Sequence, residues 1–324
     1  MDATSVTTKF LVISDTHGAD IPHAARHLPV DVAIHCGDLT EESKIDELRI
    51  ALKQLQEIEA PLKLVIPGNH DFTMDVPTFK NNIANAPEPL DPALVRTEYG
   101  DYGEAKQMFE DMKAQGIHVL EEGTHQFELS NGALLSVYAS PFTPSLHDSW
   151  GFHYPPEQHN FDIPKGVDVV ITHGPPHGVM DFTASGRGAG CPNLFRAVAH
   201  AQPKLHCFGH IHEGWGAKLA TWREHVGEAP ANHFADIDHD ESVVVEKLSG
   251  LTTTRFDTVA SARAKRDRRA ALEARGYAAA RHGADDERPL RPGQTLFVNA
   301  AVEGSTVEFP AHMPWVVDID LPHQ

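Results

Sequence analysis

Cysteine is scarce in this chain: Cys36, Cys191 and Cys207 are the three present in 324 residues. An odd number without clustered spacing argues against a disulfide framework and for a reducing compartment, so a cytoplasmic location is expected. Long apolar runs are also missing. No stretch approaches the roughly 18 residues that a spanning helix needs, and Met1 to Lys9 is polar, without the hydrophobic region of a signal peptide. No membrane partner is expected. Positive charge is short, with 27 Lys and Arg against 46 Asp and Glu and a formal net charge of −19. That balance argues against tracking a nucleic-acid backbone or an anionic membrane surface. No internal repeat is evident. The hydrophobic fraction of 41% is ordinary, so a sizeable core is within reach, and the length suits one large domain or two smaller ones.

Short apolar, β-branched runs predict strands at Phe10–Ser14, Val30–His35, Leu62–Ile66, Ala133–Ala139, Val167–Ile171, Leu205–Phe208, Leu296–Val298 and Trp315–Ile319. Between the early ones lie helical patterns. From Glu41 to Glu59, Ile45, Leu48, Leu52, Leu55 and Ile58 recur at helix spacing, with Thr40 placed to cap the start. Glu104 to Gln115 repeats the pattern, and Gly116 offers a stop. Strand and helix alternating early, with more strand later, predicts an α/β fold with a mixed sheet or two facing sheets. Residues 221–292 differ: Glu224 to Glu246 is acidic and His-rich, while Arg255 to Arg281 is rich in Ala and Arg. This stretch reads as a charged, helical insertion in a single domain spanning 1–324, carrying one long amphipathic helix. A lid, a dimer element and a surface arm are the readings open for it. Its basic run, Arg263 to Arg269, reads as a solvated helix face.

Five short segments carry the chemistry: Asp15-Thr16-His17, Gly37-Asp38, Gly68-Asn69-His70-Asp71, Thr172-His173-Gly174 and Gly209-His210-Ile211-His212. Each follows a predicted buried strand, and parallel strands of an α/β sheet deliver their loops to one shared edge. Together they supply seven donors of the types a pair of divalent cations requires. Phosphate esters are anionic and resist attack by water. Two cations overcome this by binding the phosphoryl oxygens and ionising a bridging water. Asp38 is the natural bridge, since its two oxygens can each face one cation. Asp15 with His17, and His210 with His212, are one residue apart at strand exits and can turn together. Asn69 adds a neutral carbonyl oxygen and His173 an imidazole.

These residues resemble the pattern of the calcineurin-like metallophosphoesterase superfamily. The resemblance implies a β-sandwich of two mixed sheets flanked by helices, with the metal site at the C-terminal ends of strands. It implies one metal on Asp15, His17, Asp38 and His212, and another on Asp38, Asn69, His173 and His210. His70 would face the scissile phosphate and stabilise or protonate the leaving oxygen, while a metal-bridging hydroxide attacks. Thr172 to Pro176, Gly190-Cys191, Pro203 to His206, Gly209 to Gly214, Phe297 to Ala300 and Pro314 to Pro322 further resemble the metallophosphoesterase-domain-containing branch, which is similar to class III cyclic-nucleotide phosphodiesterases. The activity so implied is phosphodiester hydrolysis, on cyclic nucleotides in the narrower reading, with Mn²⁺ expected first among Mn, Fe, Zn and Mg.

Other residues are weighed against plainer roles. His35, Cys36, His206 and Cys207 close apolar strands and read as packed core. Asp71 can orient His70 or cap a turn. Asn69, His70 and Arg187, the last within a glycine-rich loop, are candidate substrate contacts. Phe72, Phe142, Trp150, Phe152 and Tyr154 can line a pocket for a base or form a hydrophobic rim. Two rival functions remain: a phosphomonoesterase of the same superfamily, or a nearly inactive nucleotide-binding scaffold. The serine/threonine phosphatase form of the second motif is missing, since Gly37-Asp38 continues as Leu39-Thr40-Glu41-Glu42.

Overall fold

Successive side chains along each central strand point into cores on opposite faces of its sheet. The computed structural model describes residues 5–146, 149–224, 226, 231–306 and 309–323. Its two large sheets are built from β1 (Ser5–Ile13), β2 (Val32–His35), β3 (Leu62–Val65), β4 (Ile117–Val119), β5 (Gly123–Glu128), β6 (Leu134–Ser140), β7 (Val169–Thr172), β8 (Leu205–Phe208), β9 (Gly216–Trp222), β10 (Ile237–Lys247), β11 (Ala278–Arg281), β12 (Gln294–Asn299) and β13 (Trp315–Pro322). The first has the order β11-β13-β1-β2-β3-β4 and the second β10-β9-β12-β8-β7-β6-β5. Both are mixed: β1 to β4 run parallel, as do β6, β7, β8 and β12, while β1 pairs antiparallel with β13 and β9 with β12.

Phe10, Val12, Ile34 and Leu64 of the first sheet pack with Val137, Val169, Leu205 and Val298 of the second. The alternate residues Leu11, Ile13, Ala33 and Val65 face outward onto Ile45, Leu48, Leu52 and Leu55 of helix Ile45–Glu57. On the opposite side Val170, Phe208 and Phe297 meet Leu194, Phe195 and Val198 of helix Pro192–Ala201. Strands buried on both faces therefore read as continuous apolar runs, which is why the sequence betrayed them. Each fully buried Leu or Phe in these layers stabilises the fold by about 1.5–3 kcal/mol relative to exposure. The four layers place the ends of β1, β2, β3, β7 and β8 along one edge, and the five motifs follow those ends.

Several local expectations are corrected. Thr40 does not cap the first helix; the chain turns at Lys44, whose backbone N–H donates to Glu47 at 2.9 Å. Thr40 instead donates its hydroxyl to Asp71. The acidic stretch after Thr221 contains strand β10, at the edge of the second sheet, and β11 adds an edge to the first. Of that acidic stretch, residues 225 and 227–230 lie outside the described residues. The Ala/Arg-rich segment forms helix Val259–Arg275, capped by Thr258 and ended by Gly276 at φ 79°. Leu272 is its single buried side chain, so the helix is accessible over most of its surface and buries no apolar stripe. Its basic residues pair within the chain, Arg268 with Glu246, Lys265 with Asp257 and Arg269 with Glu273. Among the described residues no helix is long and apolar enough to cross a membrane.

Candidate metal centre

The loops at the shared edge are strained and closely stacked. Asp15, His17, Asp38 and His210 all sit in the left-handed region, at φ 52°, 45°, 53° and 65°. Such conformations cost about 1–3 kcal/mol each and persist only where the surroundings over-determine them. Here backbone bonds do so: Asp15 N–H donates to the Gly37 carbonyl (2.9 Å), His17 N–H to that of Asp38 (3.1 Å), and Gly209 N–H to that of His173 (2.9 Å). Two motif glycines permit the stacking. A Cβ on Gly68 would lie 2.4 Å from the Asp38 backbone nitrogen, and one on Gly209 would lie 1.9 Å from an Asp15 carboxylate oxygen. Gly68→Ala is therefore expected to destabilise the fold by about 1–3 kcal/mol. Gly174→Ala, whose Cβ would meet Thr143 at an ordinary 3.4 Å, should be much milder. Urea unfolding of the two variants compares them; equal midpoints would show that the loops have slack.

Within this frame the donor side chains fall into two groups that meet at Asp38. Donor atoms of Asp15, His17 and His212 lie within 4.8 Å of one another, as do those of Asp38, His173 and His210. His173 shows how one of them is aimed. Its Nδ1 donates to the Cys36 carbonyl at 2.9 Å, which turns Nε2 toward Asn69 Oδ1 (2.9 Å) and Asp38 Oδ2 (3.2 Å). Asp38 Oδ2 is also 3.8 Å from His17 Nε2, while its Oδ1 accepts the His70 backbone N–H at 2.8 Å. Across the site, His212 Nε2 stands 3.4 Å from Asp15 Oδ1. The ring nitrogens of His17 are buried, yet neither makes a well-aligned hydrogen bond.

The electrostatics ask for cations. Burial works to raise the Asp15 carboxyl, but the hydrogen bond and charge of His212, with the charges of His173 and His17, hold it well below the usual range. Burial likewise opposes ionisation of Asp38, and His173 outweighs it, lowering Asp38 to about 2. In return His173 and His212 rise to about 9 against burial, through Asp38 and Asp15 respectively. Two buried carboxylates thus pull protons onto imidazoles, the same pull that divalent cations between them would satisfy. Donor types and the convergence on Asp38 both fit a pair of such ions.

Other sequence candidates find definite places. His35 and His206 are buried, each bonded through Nε2 to a threonine of a neighbouring motif, Thr16 (3.1 Å) and Thr172 (2.9 Å). Burial lowers them to about 4 and 3, so both are neutral. Asp71 neither orients the His70 ring nor caps a turn with its side chain. Its carboxylate accepts from the Leu39, Thr40 and Gly68 backbones and from the Thr40 hydroxyl, tying the second motif to the third. The His70 ring is held by its Nδ1, which donates to the Glu41 carbonyl at 2.7 Å, and by stacking on Trp150 with centroids 4.2 Å apart. Arg187 is exposed on a loop closed by its own carbonyl, which accepts from Thr183 N–H. Of the aromatics, Phe72 lies near Trp150, whereas Phe142 and Phe152 pair with each other and Tyr154 is buried. Sequence reasoning missed two carboxylates: Glu41 Oε2 is 3.1 Å from His17 Nδ1, and Glu303 Oε2 is 3.1 Å from His17 Nε2. The available signal was their position, three residues after Asp38 and four after Asn299 at the end of a core strand.

Comparisons with known proteins bear on the family. A family model described as calcineurin-like phosphoesterase matches residues 8–214. The chain is 32% identical over 217 residues to human metallophosphoesterase domain-containing protein 1, covering 64% of this chain and 62% of that protein. A UPF0046 protein of Caenorhabditis elegans is 29% identical over 239 residues, covering 72% of this chain and 58% of its own length. The chain thus spans about three fifths of the length of these relatives. Among solved structures, the protein TT1561 of Thermus thermophilus gives a TM-score of 0.39 at 13% identity, covering 76% of this chain and 92% of that one. Purple acid phosphatase PPD1 from yellow lupin seeds gives 0.37 at 8% identity, covering 98% and 54%. At those values neither bears on function. The family-model match runs through all five motifs, and the motifs build one cluster of metal-binding character, so this chain belongs to the calcineurin-like phosphoesterase family.

Proposed function

We propose that this member of the metal-dependent phosphoesterases is a phosphodiesterase, with Asp15, His17, Asp38 and His212 holding one divalent ion and Asp38, Asn69, His173 and His210 the other. The observation that carries the reading is the pair of donor groups meeting at one buried carboxylate, Asp38, with His70 beside them. When bound, such ions neutralise charge on the phosphoryl oxygens and make water a competent nucleophile at neutral pH. The chain's own residues supply the rest. With His70 Nδ1 committed to the Glu41 carbonyl, Nε2 is the nitrogen left to give a proton to the leaving oxygen. Asp71, by fixing Leu39, Thr40 and Gly68, keeps the two loops that carry Asp38 and His70 in register.

The preference for a diester rests on charge. Glu41 stands at the exposed rim, with its side chain 56% accessible. A diester brings one negative charge past it, whereas a monoester brings up to two. Trp150, stacked on His70, presents a flat surface suited to a base, which supports a nucleotide substrate and, with the branch resemblance, a cyclic nucleotide. Manganese is the proposed ion, from oxygen and imidazole donors. We further propose one domain over 1–324, with 221–292 as an insertion able to mediate self-association.

Hydrolysis of bis-p-nitrophenyl phosphate beside p-nitrophenyl phosphate, with and without Mn²⁺, tests this. Metal-dependent turnover favouring the diester is expected. Preference for the monoester would make the chain a phosphomonoesterase. No turnover in protein shown to hold two ions would make it a binding member of the family.

A further inference from the structure

Glu303 lies outside the five motifs, yet the fold fixes it against the first of them. Ser14, at the end of β1, bridges in parallel to Ala301. Ser14 N–H donates to the Ala300 carbonyl (3.0 Å), Val302 N–H to that of Ser14 (2.9 Å), and Glu303 N–H to that of Asp15 (3.1 Å). The Glu303 side chain therefore departs from backbone bonded directly to Asp15. Its Oε2 comes within 3.1 Å of His17 Nε2 and 3.7 Å of His212 Nδ1.

The His17 ring is shared between two carboxylates. Glu41 Oε2 stands 3.1 Å from Nδ1, as a carboxylate that orients a metal-bound imidazole would, and this leaves Nε2 for the ion. Glu303 is on the Nε2 side. Two atoms each about 2.1 Å from one ion, at right angles or slightly wider, are separated by about 3.0–3.4 Å. The 3.1 Å between Glu303 Oε2 and His17 Nε2 falls in that range, as does the 3.4 Å between Asp15 Oδ1 and His212 Nε2. We propose that Glu303 is a further carboxylate donor to the divalent ion on the Nε2 side of His17. An added anionic oxygen hardens that position relative to the one at His173 and His210, favouring Mn²⁺ or Mg²⁺ over softer ions.

This inference rests on the two-ion reading, and metal titration separates the two. Mn²⁺ binding is measured by calorimetry on the full chain, on Glu303→Ala, and on His210→Ala as a marker of the other position. The wild type is expected to take up two equivalents. Glu303→Ala should weaken one of them by about 10–100-fold, His210→Ala the other, and the double variant both. Glu303→Gln, which keeps the shape without the charge, is read in the same way should the alanine variant not fold. Two equivalents bound by Glu303→Ala within twofold of the wild type would overturn the role of Glu303 and leave the two-ion reading intact. A wild type that binds fewer than two would overturn both.

Discussion

Asp38→Ala is expected to lose phosphoesterase turnover by about 10³-fold or more, together with most of its bound metal. The carboxylate is 2% exposed and stands where the two donor groups meet, its Oδ2 3.2 Å from His173 Nε2 and 3.8 Å from His17 Nε2. Its Oδ2 thus stands between a donor of each group. Without it, the two positions no longer share an anion, and each loses a charged donor. The change also costs stability in the metal-free chain: His173 outweighs burial and lowers the Asp38 carboxyl to about 2, so its charge is net favourable there, and removing it leaves the buried His173 ring without that partner. The variant is expected to melt below the metal-free wild type and to lose the stabilisation that added Mn²⁺ brings, about 2.7 kcal/mol for one site at a hundredfold excess over Kd. Metal content and thermal melts with and without Mn²⁺ read this out. Metal-dependent turnover surviving in Asp38→Ala would remove it from the bridging position.

His70→Ala is expected to slow turnover by about 10²–10⁴-fold while both ions stay bound. Its link to Asp38 runs through the backbone N–H at 2.8 Å, which alanine retains, whereas the ring is held separately by the Glu41 carbonyl and Trp150. Leaving groups distinguish the role proposed. An ester of p-nitrophenol needs little protonation as it departs, so the loss should be smaller there than for an alkyl ester, whose alkoxide needs a proton from Nε2. The rival role is metal ligation, since a ring nitrogen of His70 lies within 4.8 Å of donors from His17 and Asp38. Loss of an ion from His70→Ala would establish that rival. Equal rate losses for good and poor leaving groups would rule against proton donation.

Much of this protein was legible before its fold. The parallel strands declared themselves because both of their faces are covered, leaving runs such as Phe10-Leu11-Val12-Ile13 with no polar interruption. The motif residues were equally readable because each sits within a few positions of a strand end, so local order already implied a common edge. Glycines 68 and 209 belong to the same local logic, being the residues that let a neighbouring carboxylate come close.

The edge strands escaped. Ile237–Lys247 is antiparallel, acidic and largely accessible, so it read as part of a charged, helical insertion, whereas it pairs with β9 as a strand. Thr40 carried a good capping signal that tertiary contact overrode, because Asp71, 31 residues away, claimed its hydroxyl.

The sequence by itself determined the α/β class and the five metal-motif segments with their donor types, since all of these are properties of residues next to one another along the chain. Only the tertiary structure decided that Asp71 binds loops together, that helix Val259–Arg275 buries little beyond Leu272, and that Glu41 and Glu303 flank His17. Those facts depend on pairing between distant segments, such as Ser14 with Ala301. The physical reason is that donor chemistry is written in residue identity, whereas proximity is set by which strands share a sheet edge.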